Sequence, residues 1–184
     1  MKEKYNGTDG YMALKLDTSK AYDHVEWSFL ESMMRTMGFP GRCISLIMRC
    51  VKYISYSIMI NGKRCGHITP TRGIRQGDPL SSYLFLLCAE GFFALLNKAA
   101  TEKRIQRVST SRRGPKIAHL FFFFADYSLL FCKVQRRDCM EILNILQKYE
   151  QASGQKANMK KSALYFSSNT KAEDRGMIRQ LFNV

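Results

Sequence analysis

Two aspartates at the ends of apolar segments are the residues of this chain best suited to chemistry. Asp17 follows Tyr11-Met-Ala-Leu-Lys-Leu, and Asp126 follows His119-Leu-Phe-Phe-Phe-Phe-Ala. Both segments predict strands, and carboxylates at the ends of neighbouring strands offer the hard oxygen ligands that Mg²⁺ or Mn²⁺ prefers. Two such ions about 4 Å apart catalyse nucleotidyl transfer by activating a 3′-hydroxyl and stabilising the leaving pyrophosphate. A lone aspartate after a strand is more often a turn or N-cap residue.

A loop between the two aspartates, Arg75-Gln-Gly-Asp-Pro-Leu80, leads into a long apolar helix. Asp78 is predicted to be the N-cap of this helix, with Pro79 at its first position. The helix is predicted to run to about Ala100. Because it is mostly apolar, we expect it to be heavily buried.

Periodicity and turn residues predict the other elements of the chain. Asp23 and Glu26 have the spacing of a capping box, so a helix is expected from there to a stop at Gly38. The further predicted elements are a strand over Met12 to Leu16, a helix over Arg42 to Lys52, a hairpin of Tyr53 to Ile60 and Lys63 to Thr69 turning at Asn61-Gly62, a hairpin of Lys116 to Phe124 and Ser128 to Lys133, a helix over Arg137 to Ala152 ended by Gly154, a strand over Ala163 to Phe166 and a helix over Ala172 to Phe182. Interleaved helices and hairpins indicate an α+β fold with antiparallel pairing.

The composition favours a polyanionic partner. The 184 residues carry a net charge of +14, and 46% of them are hydrophobic, enough for a real core. Neutralising phosphates releases condensed counterions, so such a charge favours binding to nucleic acid. The segment Lys103 to Lys116 contains six basic residues and no acidic one. A solvated basic loop is the alternative explanation of that segment.

The cysteine pattern and the N-terminal residues indicate the cellular compartment in which the protein acts. None of the six cysteines forms a Cys-x-x-Cys pair, and several lie in apolar stretches as small hydrophobic residues. This pattern predicts a reducing compartment, the nucleus or cytoplasm, without a disulfide-linked partner. The polar N-terminal residues are not expected to form a signal peptide, and the apolar run Tyr83 to Ala89 is too short to span a bilayer, so no membrane partner is expected.

Four segments hold most of the residues discussed above, in the order Leu14 to Trp27, Gly73 to Gly91, Phe124-Ala-Asp-Tyr127 and Ala152 to Ser162. In that order they resemble the catalytic motifs of reverse transcriptases of LINE-type, non-LTR retrotransposons common in plants. The resemblance implies a polymerase palm, an antiparallel sheet with packed helices and a ferredoxin-like core. It also implies one partial palm domain over residues 1–184, with fingers and thumb largely missing. The implied partners are an RNA template, a DNA primer and deoxynucleoside triphosphates.

The resemblance assigns roles to the acidic and basic positions. Asp17 and Asp126 correspond to the metal ligands, which bind Mg²⁺ or Mn²⁺. Lys161 corresponds to the lysine near the triphosphate, a proton donor or an electrostatic clamp for pyrophosphate. An ordinary surface lysine is an equally good explanation of Lys161.

Three further positions correspond to nucleotide contacts. Tyr22 matches the residue under the incoming sugar, where an aromatic ring crowds a 2′-hydroxyl and favours deoxynucleotides. A core tyrosine is the alternative for Tyr22. Gln76 and Gly77 match the loop that contacts the template and the incoming nucleotide. A glycine there permits close approach of a ligand, although any tight turn has the same requirement.

Two departures from the family pattern concern the Asp126 motif. Tyr127 replaces the second aspartate, and a phenol is a poor magnesium ligand because its pKa is about 10. The tract Phe121 to Phe124 is two residues longer than the usual motif, an even insertion that preserves strand alternation. We therefore expect an impaired polymerase domain.

The alternatives are a catalytically dead remnant that binds nucleic acid and a fragment that is not a stable protein. In the latter case, the Pro79 to Ala100 helix would lack the partners that cover its apolar surface.

Overall fold

The computed structural model describes residues 10–106, 108–109, 116–117, 123–124 and 127–184. The elements in chain order are β1 Tyr11–Ser19, α1 Trp27–Thr36, α2 Gly41–Lys52, β2 Tyr56–Ile60, β3 Lys63–Ile68, α3 Pro79–Thr101, β4 Val108–Ser109, β5 Lys116–Ile117, β6 Phe123–Phe124, β7 Tyr127–Lys133, α4 Arg136–Ser153, β8 Lys156–Ala157, β9 Ala163–Phe166 and α5 Ala172–Phe182.

The chain forms two compact units. The first comprises the described parts of Met1–Ser19, Gly91–Gln151 and Gln155–Val184, and the second comprises Lys20–Glu90 with Ala152–Gly154. Whether residues 1–184 act as one domain stays a prediction.

The main sheet lies in the first unit and has β1 at its centre. Along one edge β1 pairs antiparallel with β7, from Tyr11 opposite Lys133 to Asp17 opposite Tyr127. Along its other edge β1 pairs with β9 and then with β8, and β6 extends the sheet beyond β7. All of these pairings are antiparallel, so the predicted α+β class with antiparallel strands is confirmed.

Alternation along β1 directs one set of side chains into the core. Met12, Leu14 and Leu16 are buried, and they join Leu130 and Cys132 of β7. The C-terminal part of α3, α4 and α5 complete the cluster with Phe92, Leu96, Ala99, Ala100, Cys139, Ile142, Ile145, Leu146, Ile178 and Phe182. Fully burying each large apolar side chain contributes about 1.5–3 kcal/mol, so this cluster is the main stabilising feature of the unit.

The second unit contains α1, α2, the β2–β3 hairpin and the first part of α3. α1 and α2 contact each other, and each has one buried face, with Leu30 and Met34 on α1. The hairpin turns at Asn61 and Gly62, which have φ values of +50° and +77°. Two positive φ values are what a type I′ turn requires, so the predicted turn and hairpin are confirmed. The first strand begins at Tyr56 rather than Tyr53, because Tyr53 is the C-cap of α2.

The predicted capping box before α1 was wrong. α1 begins at Trp27, and its N-cap is Glu26, which makes no side-chain cap hydrogen bond. Asp23 instead lies in a turn in which its backbone N–H donates to the Lys20 carbonyl at 3.0 Å. The backbone N–H of Glu26 donates to the Ser153 carbonyl at 2.9 Å. Because these backbone bonds occupy the segment, the helix begins three residues later than a box on Asp23 requires.

The predicted start of α3 is confirmed, but its burial is confined to one face. An Asp78 carboxylate oxygen accepts the Leu80 N–H at 2.8 Å, the expected N-cap bond. Leu84 and Phe85 are buried, whereas Tyr83 is 68% exposed and Leu86 48% exposed. The expectation of heavy burial was therefore wrong for the face of α3 that carries Tyr83 and Leu86.

α3 also meets the length and composition criteria for crossing a membrane within the described part of the chain. One such helix is weak evidence, because the core helices of soluble proteins meet the same criteria.

The six cysteines divide equally between core and surface, and none forms a disulfide: Cys88, Cys132 and Cys139 are buried, while Cys43, Cys50 and Cys65 are exposed. Burial raises the pKa of Cys88 to about 12. A hydrogen bond with Cys139, together with burial, raises the pKa of Cys132 well above its usual value. The thiols of Cys88 and Cys132 therefore stay protonated and act as small hydrophobic groups.

Candidate active site

Asp17 lies near the end of β1 and is partly exposed. Its backbone N–H donates to Ser162 Oγ at 3.1 Å, and its carbonyl accepts the Asn158 N–H at 2.8 Å. In a strand the N–H and C=O of one residue point to the same side, so both groups of Asp17 point away from β7. Asp17 and Tyr127 are therefore a non-hydrogen-bonded pair, the class in which Cα atoms lie about 4.5 Å apart.

Asp126 and the preceding Ala125 lie outside the described residues, as do Phe121 and Phe122 of the phenylalanine tract. Their neighbours are described, because Phe124 pairs with Tyr127 across a two-residue connection. β7, which follows Asp126, pairs directly with β1, whereas β6, which precedes Asp126, is the next strand beyond β7. Asp126 immediately precedes the residue opposite Asp17.

The Asp17 carboxylate suits a divalent ion. It is partly exposed, and within the described residues it has no hydrogen bond or ion pair that would neutralise it. The described part of the chain contains no cluster of three or more histidine, cysteine, aspartate or glutamate residues able to hold a metal. A hard cation bound at Asp17 would keep positions for water and substrate oxygens.

Lys161 belongs to the turn that holds Asp17. Its side chain is exposed, and its backbone N–H donates to the Asn158 carbonyl at 3.1 Å. The turn of residues 158–162, which contains Lys161, thus binds the Asp17 backbone through Asn158 and Ser162. Tyr22, Gln76 and Gly77 lie in the second unit.

Tyr22 is partly exposed and stacks on a residue of α3. Its ring lies 4.8 Å from the Phe85 ring, centroid to centroid, at an interplanar angle of 15°. Phe85 is buried, and its ring packs against one face of the Tyr22 ring. The Tyr22 carbonyl accepts the Ile74 N–H at 2.9 Å, two residues before Gln76. Tyr22 is thus anchored at both ring and backbone.

Gly73 is a residue whose importance sequence reasoning missed. Its φ is +89°, and a Cβ at this position would lie 2.8 Å from the Asp23 carbonyl oxygen. The Trp27 indole N–H donates to the Gly73 carbonyl at 2.7 Å, and the Gly73 N–H donates to the Val25 carbonyl at 2.8 Å. Only its place at the start of the second motif pointed to it.

Gln76 is exposed, and Gly77 has a φ of +86°. A Cβ on Gly77 would meet no described atom within 4 Å. The glycine is therefore required for its left-handed turn conformation, and the space beside it is open among the described residues.

Residues 3–174 match the reverse transcriptase (RNA-dependent DNA polymerase) family. The chain belongs to this family. Reverse transcriptases generally use divalent metal ions, which agrees with the chemistry of the Asp17 carboxylate.

Proteins similar to this reverse transcriptase domain include products of transposable elements. An uncharacterized mitochondrial protein of Arabidopsis thaliana is 47% identical over 64 residues, which cover 35% of this chain and 52% of that protein. An uncharacterized 149 kDa protein of transposon TX1 from Xenopus laevis is 24% identical over 87% of this chain and 12% of its own length. A Pol polyprotein from a type-2 retrotransposable element of Drosophila melanogaster is 27% identical over 65% of this chain and 10% of its own. The chain thus spans about half of the first relative and about a tenth of the others.

Solved structures confirm the palm-type fold. A Candida tropicalis telomerase, solved in complex with a fragment of telomeric RNA, has a TM-score of 0.66 and 9% identity, and the match covers 90% of this chain and 27% of the telomerase. A Candida albicans telomerase has a TM-score of 0.62 and 15% identity, and the match covers 88% of this chain and 27% of the telomerase. At such low identity the likeness concerns the fold alone.

Proposed function

We propose that this reverse transcriptase domain adds deoxynucleotides to a DNA primer on an RNA template, and that Tyr127 impairs this activity. The observation that supports the proposal best is the β1–β7 register, in which Asp17 is opposite the residue that follows Asp126. In the same proposal the domain acts in the nucleus or cytoplasm, without a membrane or a disulfide-linked partner.

Asp17 and Asp126 would hold Mg²⁺ or Mn²⁺, and the bound ions supply activation of the 3′-hydroxyl and charge stabilisation on the leaving pyrophosphate. The backbone of Asp17 is held on one side by residues 158–162, so its carboxylate is presented from a fixed strand. Lys161, on the same turn, donates a proton to the pyrophosphate oxygen or neutralises its charge. A neutral phenol at Tyr127 brings no negative charge to the ions, so their binding is weakened.

The primary test of this proposal is primer extension on an RNA template with Mg²⁺ or Mn²⁺. Incorporation that Asp17→Asn abolishes supports the polymerase function. If neither the parent chain nor its Tyr127→Asp variant incorporates nucleotide while remaining folded, the polymerase function is excluded.

Tyr22 is proposed to exclude ribonucleotides, while Gln76 and Gly77 contact the template and the incoming nucleotide. In the Tyr127→Asp background, we expect Tyr22→Ala to raise the ratio of ribonucleotide to deoxynucleotide incorporation about ten- to a hundredfold, since the ring that crowds the 2′-hydroxyl is lost. Tyr22→Phe keeps the ring stacked on Phe85 and should keep the selectivity. If Tyr22→Ala slows both substrates equally, the tyrosine is a structural residue.

A catalytically dead nucleic-acid-binding remnant is the second candidate, and the net charge of +14 favours it. We expect the affinity for an RNA–DNA hybrid to fall about a thousandfold between 50 and 200 mM salt if about six phosphates are contacted. Fluorescence anisotropy at several salt concentrations measures this slope.

The basic segment 103–116 provides variants for the same measurement. Arg112 and Arg113 lie outside the described residues. Changing both to Gln should reduce the salt slope by about two. Arg35 is the control outside the basic segment, and its guanidinium forms an ion pair with Glu31 at 2.7 Å. An Arg35→Gln effect as large as that of the double variant would contradict binding through the basic segment.

A further inference from the structure

Two buried serines bracket β9 and hold the two ends of its pairing with β1. Ser162 immediately precedes β9 and Ser167 immediately follows it, and they are 6% and 3% exposed. Ser162 Oγ accepts the Asp17 N–H at 3.1 Å, and Ser167 Oγ accepts the Tyr11 N–H at 2.9 Å. The two hydroxyls therefore make the same kind of bond to β1, one at Asp17 (the acidic end) and one at Tyr11, at the opposite end.

The bond at the acidic end is part of a closed arrangement. Ser162 Oγ donates to the Asn158 carbonyl at 2.8 Å while it accepts from Asp17. The Asn158 N–H donates in turn to the Asp17 carbonyl at 2.8 Å. Both backbone polar groups of Asp17 thus bind the turn of residues 158–162, and the pairing with Tyr127 on the other edge adds no hydrogen bond at this residue.

We propose that Ser162 is a positioning residue for Asp17, a role that rests on the proposed metal-dependent polymerase function. Its hydroxyl fixes the backbone at Asp17, and therefore the direction of the carboxylate, through a turn that also carries Lys161. Without the hydroxyl, the Asp17 N–H loses its acceptor and β1 gains freedom to twist at the ligand. Metal sites need ligands held within about 0.5 Å of their productive geometry, so this freedom weakens ion binding.

Ser167 supplies the matched control. Its hydroxyl is equally buried, but it holds Tyr11 and also contacts Asn169 at 2.6 Å and Thr170 at 3.0 Å. Ser167→Ala removes a hydrogen bond to β1 at Tyr11 and leaves the hydrogen bonds of Asp17 in place. A purely structural role of the serines predicts that both alanine variants lose stability and ion binding in parallel.

The test measures the binding of Mn²⁺ by electron paramagnetic resonance, with the metal ion as the only ligand and with the full chain carrying Tyr127→Asp. Asp17→Asn identifies the binding that depends on Asp17. We expect Ser162→Ala to weaken that binding about tenfold, the lower end of the effect of removing outer-shell partners of metal ligands. Ser167→Ala should change it by less than about twofold, although both variants lower the melting temperature.

Ser162→Cys is a second variant in case the alanine chain does not fold, because a thiol has nearly the same size and is a weak acceptor. It should weaken Mn²⁺ binding in the same direction. Equal losses in the Ser162 and Ser167 variants, or unchanged binding in the Ser162 variants, overturn the positioning role alone. If Asp17→Asn leaves the Mn²⁺ titration unchanged, the proposed metal site is refuted and the positioning role with it.

Discussion

The Tyr127→Asp variant should extend a primer on an RNA template at least about a hundredfold faster than the parent chain. Removing one preorganised group that stabilises transition-state charge typically costs about 10²–10³ in rate, and restoring a carboxylate next to Asp126 reverses such a loss. The register places residue 127 opposite Asp17, so the new carboxylate joins the strand pair that carries the proposed ligands. Single-nucleotide incorporation with Mg²⁺ and with Mn²⁺ measures the gain.

Asp17→Asn in the Tyr127→Asp background is the control for this gain. It keeps the size of the side chain and removes the charge, so incorporation should return to the background. If the parent chain incorporates nucleotide as fast as the Tyr127→Asp chain, Tyr127 is not the limiting change. A folded Tyr127→Asp chain that binds Mn²⁺ through Asp17 but incorporates nothing excludes the polymerase function while keeping the metal site. An increase that survives Asp17→Asn would point to a contaminating polymerase.

Gly154→Ala should lower the free energy of unfolding by about 2–5 kcal/mol. Gly154 has a φ of +77°, which costs a residue with a Cβ about 1–2 kcal/mol. The added Cβ would also overlap the His24 carbonyl oxygen and lie 2.8 Å from Glu26 Cγ, and overpacking of this kind costs about 1–3 kcal/mol. Since domains are stable by only about 5–15 kcal/mol, urea unfolding at equilibrium should show a large shift of the midpoint.

Gly176→Ala is the matched control with the opposite expected sign. Gly176 lies inside α5, and a Cβ there meets no described atom within 4 Å. Because alanine is the better helix former, this change should stabilise the chain by about 0.5–1 kcal/mol. If the two variants shift the midpoint equally, close approach at Gly154 is not what determines stability there.

Elements specified by local chemistry were predicted well. α5 runs from Ala172 to Phe182, as predicted, and Asp78 caps α3 through its own side chain. The Asn61-Gly62 turn has the two positive φ values that its residue types favour. Each of these features depends on bonds or conformations within a few residues of the chain.

Predictions that depended on neighbours distant in sequence were less accurate. The α3 helix was expected to be heavily buried, but Tyr83 is 68% exposed, whereas the next residue, Leu84, is buried. The capping box at Asp23 is replaced by backbone bonds, one of them from Glu26 to Ser153. Periodicity identifies an apolar face, but the elements that pack against the helix decide which residues of that face are covered.

The sequence by itself determined the membership in the reverse transcriptase family, the strand leading to Asp17, and the replacement at Tyr127. Only the tertiary structure decided that Asp17 is opposite Tyr127, that Ser162 holds the Asp17 backbone, and that Gly73 and Gly154 have no room for a side chain. Residue types and short spacings encode strands, turns and motifs, because their causes are local. Register and close approach arise between segments far apart in the chain, where the pattern of one segment carries no information about the alignment of the other.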